Sequence, residues 1–250
     1  MSGHSKWSQI KRQKGAADAK RGQLFTKLGR EITVAARTGG TDPDGNARLR
    51  LAIQRARDAS MPMDTIDRAI KRVAGAGDGA TLEEIIYEGY GPGGTAILIE
   101  AVTDNRNRTV AEIRNAFTRG GGSLGESGCV AWNFDSRGVI SIDLGGRDPE
   151  EVELLAIEAG AEDIRADDGS VEVYTDPAQL DAVRTALESQ SVPIASAEAA
   201  MVPRTTIEAD PKDAVTVLRL MERLEDLDDV QRVYTNLDIS EAALSEFAGR

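Results

Sequence analysis

VISIDLGGRDPEEVELLAIEAGAEDIRADDGSVEVYTDPAQLDAVRTALESQSVPIASAEAAMV, residues Val139–Val202, decides the fold. Val139–Ile142 is a short apolar run of strand type, and Pro149–Ala159 follows with helical spacing and a proline suited to a first helical turn. Asp163–Ala166 and Ser170–Tyr174 read as two strands joined at Asp167-Asp168-Gly169, a hairpin signal. Pro177–Gln190 is again helical, and Ile194–Val202 leads into a strand. The order β-α-β-β-α-β is the ferredoxin-like one.

Working outward, the flanking pieces do not stand alone. On the N-terminal side, Glu84–Tyr90 and Thr95–Val102 predict strands around Gly91-Pro92-Gly93-Gly94, and Thr109–Arg119 predicts a helix. Cys129–Phe134 alternates, with Val130, Trp132 and Phe134 on one face. On the C-terminal side, Arg204–Glu208 and Val230–Tyr234 predict strands around a helix at Pro211–Leu224. These C-terminal pieces are too few for a domain, but added to Glu84–Phe134 they complete a second α+β unit. The expected layout is a middle domain at 81–136 plus 204–240, with a ferredoxin-like domain at 137–203 inserted in it.

Residues 1–75 predict a third domain, of helices. Ala16–Arg37 carries Leu24, Phe25, Leu28, Ile32 and Ala35 on one arc, with Lys20, Lys27, Arg30 and Arg37 roughly opposite. Thr38-Gly39-Gly40 ends that helix, and Asp42-Pro43-Asp44-Gly45 is read as a turn and as the cap of the next helix. Asn46–Ala59 buries Leu49, Ala52, Ile53 and Ala56 between flanks of arginine. After Met61-Pro62, Ile66, Ala69, Ile70 and Val73 form a third stripe, with Arg68, Lys71 and Arg72 outside it. Gly75–Ala80 is a linker by composition. The fold class is thus α+β multidomain: a three-helix basic domain, then two ferredoxin-like-type α/β domains, one inserted in the other.

Charge separates the parts. Residues 1–75 hold 16 Lys+Arg against 7 Asp+Glu, a net of +9, in a chain whose total is -12. The remainder therefore carries -21. A basic module on an acidic body points to a polyanionic partner. One cysteine excludes an intramolecular disulfide, and one histidine argues against a His-based metal or triad site. No metal or cofactor is expected. No run reaches the roughly 18–20 apolar residues that span a bilayer, and no apolar segment follows the basic start. A cytoplasmic monomer with no membrane partner is expected.

GHSKWSQIK (Gly3–Lys11), DAKRGQLFTKLGREI (Asp18–Ile32), NARLRLAIQRARDASMP (Asn46–Pro62), TDNRNRTVAEIRNAF (Thr103–Phe117) and GGSLGESGCVAWNF (Gly121–Phe134) resemble the YebC/PmpR family, in order along the chain. Cys129 departs from the small residue, often Ser, of that family. The resemblance implies a three-domain, non-enzymatic cytoplasmic protein. Members are commonly described as DNA-binding transcriptional regulators. Others, including the mitochondrial translational activator of cytochrome oxidase, act on translation, and bacterial members have been linked to relief of ribosome stalling at proline runs.

The candidate nucleic-acid-binding residues are the cations of the helical domain, because Lys and Arg on phosphates release counterions. Lys6, Lys11, Arg12, Lys14, Lys20 and Arg21 form an N-terminal arm, with Trp7 placed to stack on a base or to pin the segment. Lys27, Arg30, Arg48 and Arg55 extend the patch. Arg106 and Arg108 follow a strand at a helix N-terminus, where N–H groups favour anions. They either bind phosphate or hold domains together. Gly120–Gly128 lacks the Gly-Lys-Ser/Thr ending of a phosphate loop and reads as a helix end plus turn. The acidic run Glu222, Glu225, Asp226, Asp228 and Asp229 reads as a solvated face.

Three functions compete. A nucleic-acid-binding regulator on duplex DNA or ribosomal RNA fits the charge separation. An enzyme using Asp104 and Glu100 lacks a nucleophile–base pair. A protein-interaction scaffold would show no salt-dependent nucleic-acid affinity. With no helix-turn-helix, zinc finger or RNA-recognition signature, backbone and shape recognition is expected. The preferred reading is transcriptional regulation, with a ribosome-associated translation factor as the alternative.

Overall fold

The computed structural model describes residue 7 and residues 18–74, 82–167 and 169–248. Expectations for Lys6, Lys11, Arg12, Lys14 and the Gly75–Ala80 linker lie outside the described residues. Lys20 enters only as a backbone position.

From Asp18 onward the described residues form three helices: α1 (Asp18–Gly39), α2 (Ala47–Asp58) and α3 (Met63–Ala74). Leu28, Ile32 and Ala35 of α1, Leu49, Ala52, Ile53 and Ala56 of α2 and Ile66 and Ala69 of α3 close one core. The alanines keep the helices close, while Ile32, Leu49 and Ile66 are each at most 1% exposed. Each such aliphatic side chain contributes about 1.5–3 kcal/mol by leaving water. Asn46, not the Asp42–Gly45 turn, caps α2: its Oδ1 accepts from the Leu49 N–H at 3.1 Å. Its amide donates to Ala35 O and Gly40 O at 2.9 and 2.8 Å, tying the end of α1 to the start of α2.

The middle sheet comprises β1 (Glu83–Tyr90), β2 (Ala96–Thr103), β3 (Ser123–Leu124) and β8 (Val230–Thr235) in the order β3-β1-β2-β8. Every pair is antiparallel, and Ile97 lies opposite Thr235 across the insertion. Three helices belong to it: α4 (Arg106–Arg119), α7 (Pro211–Glu225) and α8 (Glu241–Ala248). Ile113, Ala116 and Phe117 of α4 and Val217, Leu218, Leu220, Met221 and Leu224 of α7 are buried. Gly89 and Gly122 permit tight packing here. A Cβ on Gly89 would stand 2.6 Å from Ser123 O, and one on Gly122 would stand 2.5 Å from Tyr90 O.

The inserted unit comprises β4 (Phe134–Asp143), α5 (Pro149–Ala159), β5 (Asp163–Asp167), β6 (Ser170–Thr175), α6 (Leu180–Ser189) and β7 (Ile194–Pro203). Its antiparallel sheet runs β5-β6-β4-β7, the ferredoxin-like arrangement. Asp148 caps α5, accepting from the Glu150 N–H at 3.0 Å, and Gly160 ends it with φ 101°. By compactness Phe134–Arg204 and Trp7 group together, and the described residues from Asp18 to Asn133 and from Thr205 onward form the other unit.

Two strand expectations are corrected. Cys129–Phe134 is not a strand: Ala131–Asn133 is a short 3-10 turn, and only Phe134 joins a sheet. The reason is Glu88, 4% exposed, whose carboxylate takes the N–H groups of Gly128, Val130 and Ala131 at 2.6, 2.8 and 2.7 Å. Backbone donors spent on a carboxylate cannot form a ladder. Trp132 accordingly turns outward and is 68% exposed, while Val130 and Phe134 are buried. Arg204–Glu208 is likewise not a strand; only an isolated bridge links Ile207 to Leu237.

Candidate nucleic-acid interface

On α1, Gln23, Lys27, Arg30, Val34 and Arg37 recur every three or four residues and share one face. That face is docked. Gln23 donates to Asp226 O at 3.4 Å and to the Asp228 carboxylate at 3.2 Å. Lys27 donates to Glu225 O. Arg30 donates to Asp228 O at 2.7 Å, to the Asp229 carboxylate at 2.8 Å and to Val102 O at 3.4 Å. Arg37 donates to Leu82 O at 3.3 Å, and Val34 is buried. The acidic run Glu222–Asp229 is therefore not simply a solvated face; its turn receives α1. The last carbonyls of α7 carry the negative end of the helix dipole, which favours cations here.

Helix α2 adds to the junction. Arg48 makes a forked pair with Glu84. Arg55 pairs with Glu31 of α1 at 2.8 Å, and Glu31 also accepts from Arg232 of β8 at 2.8 Å. Arg232 reaches Glu100 at 3.3 Å, and the Tyr234 hydroxyl donates to the same carboxylate at 3.1 Å. Lys27, Arg30, Arg48 and Arg55 are thus brought together with acceptors of this chain.

Asp229 is the centre of the junction and is 1% exposed. Besides Arg30, it accepts from Arg108 at 2.8 Å, Thr109 at 2.7 Å and Thr103 at 3.1 Å. Burial alone would raise its pKa. The Thr109, Arg108 and Thr103 hydrogen bonds and the Arg30 charge outweigh that and hold it below the ordinary aspartate value. Arg108 is raised in turn, chiefly by its bond to Asp229. Asn105 caps α4, accepting from the Arg108 N–H at 3.1 Å. The anion served by side chains at the start of α4 is therefore the protein's own Asp229. Arg106 lies 3.5 Å from Glu83 in an exposed pair.

Another group of cations faces water. Arg21, Arg57, Lys71 and Arg72 are exposed and have no ion-pair partner among the described residues. Arg68 is held locally, donating to Asp64 O and the Thr65 hydroxyl at 3.1 Å each. Arg57, Lys71 and Arg72 are not among the site residues that the sequence singles out. The signal is present in the α3 stripe, which leaves Arg68, Lys71 and Arg72 on its outer side. Trp7 is 1% exposed, so its ring is not offered for stacking in this arrangement. Gly128, Val130 and Ala131 spend their N–H groups on the Glu88 carboxylate, and its burial is outweighed by these three bonds, which lower its pKa. Among the described residues no cluster of His, Cys, Asp or Glu is placed to hold a metal ion, and no helix is long and apolar enough to cross a membrane.

The fold and charge arrangement define a class: a basic helical bundle on an acidic α+β body with one ferredoxin-like unit inserted in it. Residues 5–76 match the family described as the TACO1/YebC protein N-terminal domain, and residues 82–237 match its second and third domain. The chain belongs to the TACO1/YebC family. It is 57% identical over 250 residues to a "Probable transcriptional regulatory protein" of Chloroflexus aurantiacus, covering 99% of each chain. A protein of the same name from Moorella thermoacetica is 57% identical over 249 residues, covering 98% of this chain and 99% of that one. A crystal structure of a conserved hypothetical protein from Aquifex aeolicus is similar with TM-score 0.82 and 47% identity, covering 90% of this chain and 93% of that one. The shared name of these relatives describes a regulatory role at the level of the family.

Proposed function

We propose that this protein regulates gene expression by holding duplex DNA through its phosphate backbone, with no catalytic step of its own. The observation that carries this reading is the solvent-facing group Arg21, Arg57, Lys71 and Arg72, unpaired among the described residues, on a bundle whose first 75 residues carry a net of +9. Lys6, Lys11, Arg12, Lys14 and Lys20 extend it along the chain. Unpaired surface cations give affinity through counterion release, and the acidic body disfavours any other approach of the duplex. The names of the relatives support the transcriptional assignment.

The test is fluorescence anisotropy with a 30-base-pair duplex over a salt series. Replacing Arg57, Lys71 and Arg72 with Glu is expected to weaken binding and to flatten the salt slope by about 0.9 for each phosphate no longer neutralised. Unchanged affinity and slope would overturn the assignment.

A second reading is favoured by the absence of a base-reading motif in the sequence. Backbone recognition serves structured RNA equally, so a ribosomal RNA or tRNA target makes the protein a translation factor. In-cell crosslinking with sequencing of the bound DNA and RNA separates the two: discrete promoter fragments support the first, and large-subunit ribosomal RNA the second.

A further inference from the structure

We propose that the docked face of α1 and α2 is a second polyanion-binding surface, covered in this structure by the acidic α7–β8 turn and by Leu82 and Glu84 at the start of β1, whose oxygens stand in for those of phosphates. The inference rests on the nucleic-acid reading above and adds a regulation to it. Lys27, Arg30, Arg37 and Arg48 end on carbonyl and carboxylate oxygens. A phosphate backbone offers the same cations the same type of acceptor, with full charge at each step.

The junction is built so that it can part. Asp229 loses Arg30 on separation but keeps Arg108, Thr103 and Thr109. Glu31 loses Arg232 but keeps Arg55, and Arg232 keeps Glu100. Each of these buried or half-buried charges thus retains a partner from its own side. A junction whose charges depended on each other alone would be costly to open, because a lone buried charge is heavily penalised. Here the contacts across it are mostly partly exposed pairs and carbonyl contacts, of the kind that ionic strength weakens. Val34 is the buried apolar member of the α1 stripe. A strand of nucleic acid first held on Arg57, Lys71 and Arg72 would compete with the acidic turn for the covered cations.

The test locks the junction in the full-length chain. Gln23→Cys and Asp228→Cys are introduced with Cys129→Ser, since the native side chains at positions 23 and 228 meet at 3.2 Å. The pair is joined by a short bismaleimide, and the control carries two monofunctional maleimides. The locked protein is expected to bind a 30-base-pair duplex about tenfold more weakly than the control. Equal binding by both would overturn this inference and leave the functional reading standing. Binding by neither would overturn both.

A second variant avoids the crosslink. Asp226→Asn with Asp228→Asn changes exposed charges of the turn and is expected to tighten binding about threefold. Glu150→Gln with Glu151→Gln on α5 changes net charge equally. If the two variants bind alike, general charge explains the gain and the inference fails.

Discussion

Arg30 donates to the Asp229 carboxylate at 2.8 Å across 199 residues of sequence, and this contact fastens the helical bundle to the middle sheet. Its acceptor is nearly inaccessible, while its donor is one-fifth exposed. The two ends of the contact therefore answer differently to mutation.

Asp229→Asn leaves Arg30 without a counter-charge and Arg108 with Asp104 alone, and is expected to cost about 2–3 kcal/mol, measured by urea unfolding. Arg30→Ala leaves Asp229 its other three donors and is expected to cost about 1 kcal/mol or less. Equal losses would show that Arg108 does not hold the carboxylate independently.

Acid should unfasten the same centre. The folded-state pKa values of Asp229 and Glu88 are lowered. A lowered carboxylate contributes stability above its ordinary pKa of about 4 and loses it as pH falls through the folded value. The urea midpoint is expected to hold between neutral pH and about pH 5 and to fall below about pH 4. In Asp229→Asn the acid limb should be shallower; an identical limb would assign it to other groups.

Glu88→Gln tests the loop that presents Trp132. The carboxylate serves three N–H groups, whereas a carboxamide has a single acceptor oxygen and adds its own donors. Loss of about 1.5–3 kcal/mol is expected, with a change in tryptophan emission as the Trp132 segment loosens. Unaltered emission and stability would mean that the turn holds without the charge.

Two glycines should respond in opposite directions. Gly122→Ala places a Cβ 2.5 Å from Tyr90 O, backbone that cannot step aside, and about 1–3 kcal/mol of destabilisation is expected. Gly22, within α1, has nothing within 4 Å of an added Cβ among the described residues. Gly22→Ala is expected to stabilise by up to about 1 kcal/mol through helix propensity. Thermal unfolding of the two variants reads both signs.

Local pattern made much of this architecture legible. The apolar spacing of Leu28–Ile32–Ala35, Leu49–Ile53–Ala56 and Ile66–Ala69 marks three helices, because a helix buries whatever recurs every three to four residues. The strand and helix order from Val139 to Val202 is equally local, as are Pro149 and Gly160 at the ends of α5. What spacing conveys poorly is a segment whose backbone donors are claimed from afar. Cys129–Phe134 alternates like a strand, yet Glu88, some forty residues away, takes its N–H groups.

The candidate site divides along the same line. Sequence alone determined that cations cluster in the first 75 residues, on helical faces away from the core, since charge and period are properties of the chain itself. Only the tertiary structure decided which of those cations face water. Lys27, Arg30, Arg48 and Arg55 meet acceptors on other elements, and Arg57, Lys71 and Arg72 meet none among the described residues. An ion pair is fixed by proximity in space, and Asp228 and Asp229, which receive Arg30, lie about two hundred residues along the chain.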